Sequence, residues 1–250
     1  MFIFGSIYFY IDGVPTISNF VVNRLPTSID KEVGQEVRKQ ILHAAPIDEN
    51  KTKLLNDFYN ELNFDTKTKL YVVKGNVFNA FALPDNSIFV FDKVFKDVNS
   101  SSELAALLGH EYSHIKYRHS MKGLGQALTW ELLASIFSGG DNSDNFVRNS
   151  NKLLTLKNSR EFETQADKGG LDLLQQKQID LTGMVDLIEL MQNLPEVQDD
   201  KTPDYLSTHP ATEDRLETIQ DEIKTRKNNF KTNGRLDDLL QQLKTENGNY

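Results

Sequence analysis

There is no cysteine among the 250 residues. That absence excludes disulfide scaffolds, cysteine zinc sites, iron–sulfur clusters and thiol nucleophiles. It leaves the redox compartment open, because a cysteine-free chain suits cytosol and periplasm alike. Basic residues are in the minority, 28 against 36 acidic, and a net charge of −8 without a basic run argues against nucleic acid as a partner. Long apolar runs are missing too. The uncharged stretch Phe2 to Ile11 (FIFGSIYFYI) is far shorter than the about 20 residues of a bilayer-spanning helix. It has no basic n-region and no small-residue cleavage site, so it is a poor signal peptide. It reads as a strand or buried apolar arm, or as the tail of a membrane anchor. What remains is ordinary: 38% hydrophobic and 26% charged residues, enough to bury a core. The length suits one sizeable domain, or two small ones.

Periodicity supplies the elements. Ser28 or Asp30 can cap a helix running to about His43, which Pro46 ends. Leu54, Leu55, Phe58 and Leu62 place an apolar stripe on a second helix over Asp48–Leu62. Leu70–Lys74, Val77–Leu83 and Ser87–Phe91 read as strands, the last two joined through Pro84-Asp85-Asn86. Ser100 and Glu103 have capping-box spacing and open a helix reaching about His119. Met121–Phe137, which carries Trp130, reads as a core helix, with a substrate lid or partner surface as its alternative. Ser138–Asn151 is a polar loop. Further helices fit about Ser159–Gln176, Thr182–Asn193, Ala211–Lys227 and Gly234–Thr245, with a polar connector over Pro195–Pro203. The pattern is one mostly helical unit with a small sheet.

The chemistry concentrates in Leu107–His119, LLGHEYSHIKYRH. It contains His110-Glu111-Tyr112-Ser113-His114, an HExxH. Histidines four apart on a helix share a face and can share a metal, and neutral imidazole is a natural zinc donor. Glu111 lies about 100° further round the helix. Its carboxylate is then placed as a general base for a metal-activated water, rather than as a third ligand. The bland alternative is a chance match, which the cap and patterning of the helix make less compelling.

A zinc site of this kind needs a third protein ligand and an open position. Ser159–Gly170, SREFETQADKGG, offers Glu161, Glu163 and Asp167. Glu163 and Asp167 are one turn apart, so one can bind metal while the other supports a ligand histidine. Spacing alone leaves these open, and a solvated helix face is the plain alternative. His43 has no motif around it and reads as structural or surface.

HExxH followed by SRxxExxAD resembles the zinc metallopeptidases of the HtpX and CAAX-prenyl-endopeptidase family, which includes envelope quality-control proteases and a mitochondrial inner-membrane relative. Asn79-Ala80-Phe81 with Pro84 resembles that family's edge strand. Gly109-His110-Glu111 through His114 and His119 is similar to its metal helix. Ser159-Arg160, Glu163, Ala166 and Asp167 match its ligand helix. Ser207-Thr208-His209-Pro210 with Arg215-Leu216 resembles its Thr-His-Pro…Arg motif. The resemblance implies Glu163 as third ligand, with Asp167 orienting a ligand histidine. It also implies His209 as a donor to the tetrahedral oxyanion, supported by Arg215, and Asn79, Ala80 and Phe81 as a substrate-binding strand. His119 matches a family position, but a histidine at a helix C-terminus interacting with the dipole explains it equally well. Residues 12–34 resemble the juxtamembrane segment of single-anchor relatives, whereas the several long apolar helices of integral members are missing.

The resulting expectation is an α+β, mostly α-helical fold: a zincin-type metallopeptidase domain with about three strands beside the HExxH helix. Residues 1–27 form an apolar arm or clipped anchor remnant, and 28–250 a single catalytic domain. The expected activity is endopeptidase chemistry with one Zn2+ per chain, His110, His114 and Glu163 as ligands, and Glu111 as base. Expected partners are unfolded or misassembled proteins, with membrane association through the N-terminus. The expected location is the cell envelope, periplasmic or membrane-associated, with the cytoplasm not excluded. The rival reading is a chaperone-like binder whose zinc is structural.

Overall fold

Alternation of apolar residues decides the layering. In β1 (Lys69–Val73) and β3 (Ser87–Phe91), Leu70, Val72, Ile88 and Val90 face one core, while Tyr71, Val73, Phe89 and Phe91 face another. Successive side chains on a strand point to opposite faces, so this sheet is covered on both sides. β2 (Ala80–Leu83) pairs antiparallel with β3, and β1 pairs parallel with it, giving the order β1-β3-β2. Pro84-Asp85-Asn86 turns β2 into β3, with Asn86 in the left-handed region at φ 66°. Asn tolerates that conformation better than most residues. The chain is described by a computed structural model over residues 19–20, 22–65, 67–127, 158–194 and 204–246.

On one face of the sheet lies α1 (Thr27–Ala44), with Val37 in a small cluster with Val73, Leu83 and Phe89. The rings of Tyr71, Phe89 and Phe81 stack there at 5.0 and 5.2 Å. Beyond the other face lie α2 (Glu49–Leu62), the short α3 (Asp92–Asp97) and the main helices, which share one large core. α4 (Ser101–Lys116) runs through the middle of it, buried on nearly every side. α5 (His119–Ala127) follows. Then come α6 (Arg160–Gln176), α7 (Thr182–Gln192), the short α8 (Asp204–Thr208), α9 (Glu213–Thr225) and α10 (Gly234–Thr245). No helix among the described residues is long and apolar enough to cross a membrane.

α4 begins as expected. Ser100 Oγ accepts from Glu103 N, while the Glu103 carboxylate accepts from Asn99 N at 2.6 Å. α6 crosses α4 closely because glycines meet there. A Cβ on Gly109 would sit 3.4 Å from Gly170 Cα, and one on Gly170 only 3.3 Å from His110 N. Removing side chains at this crossing brings the backbone of α6, and the carboxylates it carries, against the HExxH helix.

Four details differ from the sequence reading. The metal helix stops at Lys116, not His119, because Arg118 takes a left-handed φ of 59°. That conformation is costly for a residue with a Cβ. It is held by a bidentate ion pair from Arg118 to Asp30 of α1, at 2.7 and 2.6 Å, and a bond to Leu25 O. The strand expected over Val77–Leu83 starts at Ala80, leaving Asn79 just outside it; Phe78 instead packs edge-on against Tyr205 at 5.8 Å. The helix expected from Ala211 starts at Glu213. The short α3 and α8 carry too few residues for a periodic signal. Phe2–Ile11, the part of the Met121–Phe137 helix beyond 127, the loop Ser138–Asn151 and the connector Pro195–Pro203 lie outside the described residues.

Candidate metal centre

Capping and burial set the site. Ser159 caps α6 through Phe162 N at 3.2 Å, and the turns that follow point Glu163 and Asp167 at α4. Glu163 is 1% exposed and Asp167 2%, whereas Glu161 lies on the exposed face. The open choice among three acidic residues is therefore narrowed by which face of α6 meets α4.

His110 Nε2 lies 3.0 Å from His114 Nε2 and 3.5 Å from Glu163 Oε2. His114 Nε2 is 3.5 Å from Glu163 Oε1. His209 Nδ1 is 3.0 Å from Glu163 Oε1 and 3.4 Å from His110 Nε2. One donor atom from each of His110, His114, Glu163 and His209 falls within 4.8 Å of all the others, and all four residues are buried. Three imidazole nitrogens and a carboxylate oxygen form a donor set that suits zinc and similar ions. The fit is supported from behind. Asp167 Oδ1 lies 2.9 Å from His110 Nδ1. An ionised carboxylate only accepts, so Nδ1–H donates and His110 Nε2 turns a lone pair to the group. Arg215 spans the carboxylates, with Nη2 donating to Asp167 Oδ1 at 2.8 Å and Nε to Asp167 Oδ2 at 2.9 Å. Its Nη1 is 2.9 Å from Glu163 Oε2.

The electrostatics follow from this packing. Burial raises the Glu163 carboxyl, but His209 and Arg215 outweigh it and hold Glu163 well below the usual range. Burial likewise works against Asp167 ionising, and Arg215 and His110 bring it down to about 2. For His209, burial is overcome by Glu163 and Glu111, which raise it. His114 is lowered well below the ordinary value by burial and by His110.

Glu111 stands beside this group without belonging to it. It is 0% exposed; Oε1 accepts from Tyr205 Oη at 3.0 Å and lies 3.9 Å from His209 Nε2. Its Oε2 has no hydrogen-bond partner. Asn79, Ala80 and Phe81 are not brought into the cluster; only their chain neighbour Phe78 packs on Tyr205. His43 is exposed, the surface alternative of the two. A 440 Å³ cavity lined by Glu61, Lys177, Gln178 and Lys231, among others, contains none of these residues.

One site residue was missed from sequence and another was misplaced. Tyr205 stacks on His209 at 4.5 Å with ring planes 19° apart, besides holding Glu111. Its position four residues before His209 was the available signal. His119 is not at the end of the metal helix but in the first turn of α5, 1% exposed and stacked on Phe162 at 4.4 Å. A helix dipole does not explain it, since the metal helix has already ended at Lys116.

A family profile described as "Peptidase family M48" matches residues 48–223, most of the chain. The chain belongs to peptidase family M48. The relatives it resembles carry protease names, metalloprotease in two of the three. The chain is 26% identical over 239 residues to "Mitochondrial metalloendopeptidase OMA1" of Schizosaccharomyces pombe, covering 87% of this chain and 68% of the relative. It is 28% identical over 179 residues to "Metalloprotease LoiP" of Escherichia coli, covering 69% of each. It is 26% identical over 211 residues to the "Beta-barrel assembly-enhancing protease" of Yersinia pestis, covering 76% of this chain but 43% of that one. The match contains the HExxH helix, α6 and the His209–Arg215 segment. Membership places this M48 chain among the metalloendopeptidases, as the resemblance implied.

Proposed function

We propose that the chain is a zinc-dependent endopeptidase in which His110, His114 and Glu163 hold one zinc ion and Glu111 is the general base. Zinc in such a site polarises a peptide carbonyl and brings the pKa of a bound water towards neutrality. The rest falls to side chains. Glu111 Oε2 takes a proton from the attacking water and returns it to the leaving amine. Tyr205 holds the other oxygen of that carboxylate in place. Asp167 and Arg215 orient His110 and balance the buried charge. His209 donates to the oxyanion. The carrying observation is Glu111 Oε2, a buried carboxylate oxygen without a partner beside four metal-capable donors. Such an atom is expensive to leave unsatisfied unless it has a task.

Substrate binding follows from the sheet. β2 is an outer strand, and an extended peptide can add to such an edge by main-chain hydrogen bonds with little side-chain preference. Asn79, Ala80 and Phe81 are the residues we assign to it. That suits unfolded or misassembled protein substrates. The mitochondrial and β-barrel-assembly names of the relatives favour a membrane or envelope setting. We take 28–250 as one catalytic domain and 1–27 as an apolar arm or membrane-anchor remnant.

Glu111→Gln tests the reading. The variant keeps all proposed ligands, so it should retain zinc by mass spectrometry while casein cleavage disappears. Cleavage at the parent rate would overturn the mechanism. A parent chain that holds casein uncut, with zinc present, would favour the chaperone-like alternative.

A further inference from the structure

The two histidines of the metal helix are backed differently. His110 Nδ1 faces a carboxylate, Asp167. His114 Nδ1 faces another imidazole, with His119 Nδ1 2.9 Å away. Between two ring nitrogens, one must donate and the other accept. The far side of His119 decides which. Its Nε2 lies 2.9 Å from Gln165 Oε1, which can only accept. His119 therefore carries its proton on Nε2 and presents a lone pair at Nδ1. His114 must then donate from Nδ1, leaving the lone pair of its Nε2 directed at the donor group. The ring of His119 has little freedom to do otherwise, lying flat on Phe162 at 4.4 Å and 7° and 1% exposed. Phe162 and Gln165 belong to α6, the helix that carries Glu163.

We propose that His119 is a positioning residue that fixes the metal-binding tautomer of His114, with Gln165 fixing the tautomer of His119. This rests on reading His114 as a metal ligand. The relay would replace the usual carboxylate or carbonyl behind a ligand histidine with a neutral one. It also accounts for the break at Arg118: a continuous helix would carry residue 119 onward with α4, whereas the left-handed turn starts α5 with His119 against His114.

The test uses the full chain and two variants. His119→Phe keeps a flat ring for Phe162 but has no acceptor. His119→Asn loses the ring but restores an acceptor at the Nδ1 position. Zinc affinity is measured by chelator competition, and long-range 15N spectra of the metal-free chain show which nitrogen of His114 is protonated. The parent should show His114 protonated on Nδ1. His119→Phe should bind zinc about 10–100-fold more weakly and lose that single tautomer, and His119→Asn should recover most of both. Parent-like zinc affinity in His119→Phe, a parent proton on Nε2, or equal losses in both variants would overturn the proposal. If His119→Phe does not fold, the parent spectrum and His119→Asn decide. A parent that takes up no zinc counts against the metal reading instead, and the metal-free spectrum still tests the relay.

Discussion

Behind His110 the site is charged; behind His114 it is neutral. On the first side Asp167, Glu163 and Arg215 form a buried network in which one guanidinium faces two carboxylates. On the second side His119 and Gln165 reach the same helix with no formal charge. The two devices can give the same result, a lone pair on each Nε2. They differ in how they fail. A buried charge stripped of its partner is a large penalty, because desolvation is no longer offset. A neutral hydrogen bond that is lost at a half-open edge costs far less. The charged side should therefore be the structural keystone, and the neutral side a finer adjustment.

The most damaging test of this contrast is Arg215→Met. It leaves two buried carboxylates without their guanidinium, and should cost about 3–5 kcal/mol in urea unfolding of the metal-free chain. Gln165→Leu, on the neutral side, should cost less than about 1 kcal/mol. Equal losses would erase the distinction.

His209 comes next. It meets the charged side at Glu163, yet its proposed task is to stabilise charge that exists only in the transition state. His209→Ala should keep its zinc while kcat falls about 10²–10³-fold. Loss of zinc would make His209 a fourth ligand instead. A smaller effect is expected from Asp167→Asn. Its amide can still accept from His110 but returns no charge to Arg215. Zinc affinity should fall about 10–100-fold by chelator competition, with unfolding less affected than in Arg215→Met.

Much of the charged side was legible in the sequence, and little of the neutral side. HExxH announces itself because a helix turns spacing of four into a shared face, and the Ser100–Glu103 cap fixed where that helix begins. Glu163 needed more: spacing left three acidic residues open, the family resemblance chose among them, and the glycine crossing at Gly109 and Gly170 turns that face of α6 inward. Tyr205 had no periodic context, because α8 is five residues long. His119 was placed on the wrong helix for a specific reason. Helices that end in the left-handed region usually do so at Gly or Asn, and here the residue is Arg118, held by Asp30 from a distant helix. Local patterns carry no trace of such a stop.

The last prediction turns on pH and separates the two sides by acid alone. Burial, with Lys122 and His110 nearby and Gln165 and Glu163 opposing, brings His119 down to about 4 in the folded chain. An unfolded histidine titrates near 6.5. The folded state thus binds fewer protons than the unfolded one in this window. The contribution of His119 is complete above about pH 6.5 and is lost as the pH falls towards 4, at a slope of up to about 1 kcal/mol per pH unit. Asp167, at about 2 when folded against an ordinary 3.8, behaves the same way lower down. Its contribution is complete above about pH 4 and is lost only towards pH 2. His209 has the opposite sign, since its raised pKa adds stability below 6.5 that is lost as the pH rises. Measuring the metal-free parent against His119→Phe removes the terms that both chains share. The stability difference between them should shrink from pH 6.5 to 4, while the same difference for Asp167→Asn should hold constant over that range and change only below it. A difference for His119→Phe that stayed flat from pH 7 to 4 would mean that the neutral side does not depend on an uncharged imidazole, and the contrast between the two histidines would fail.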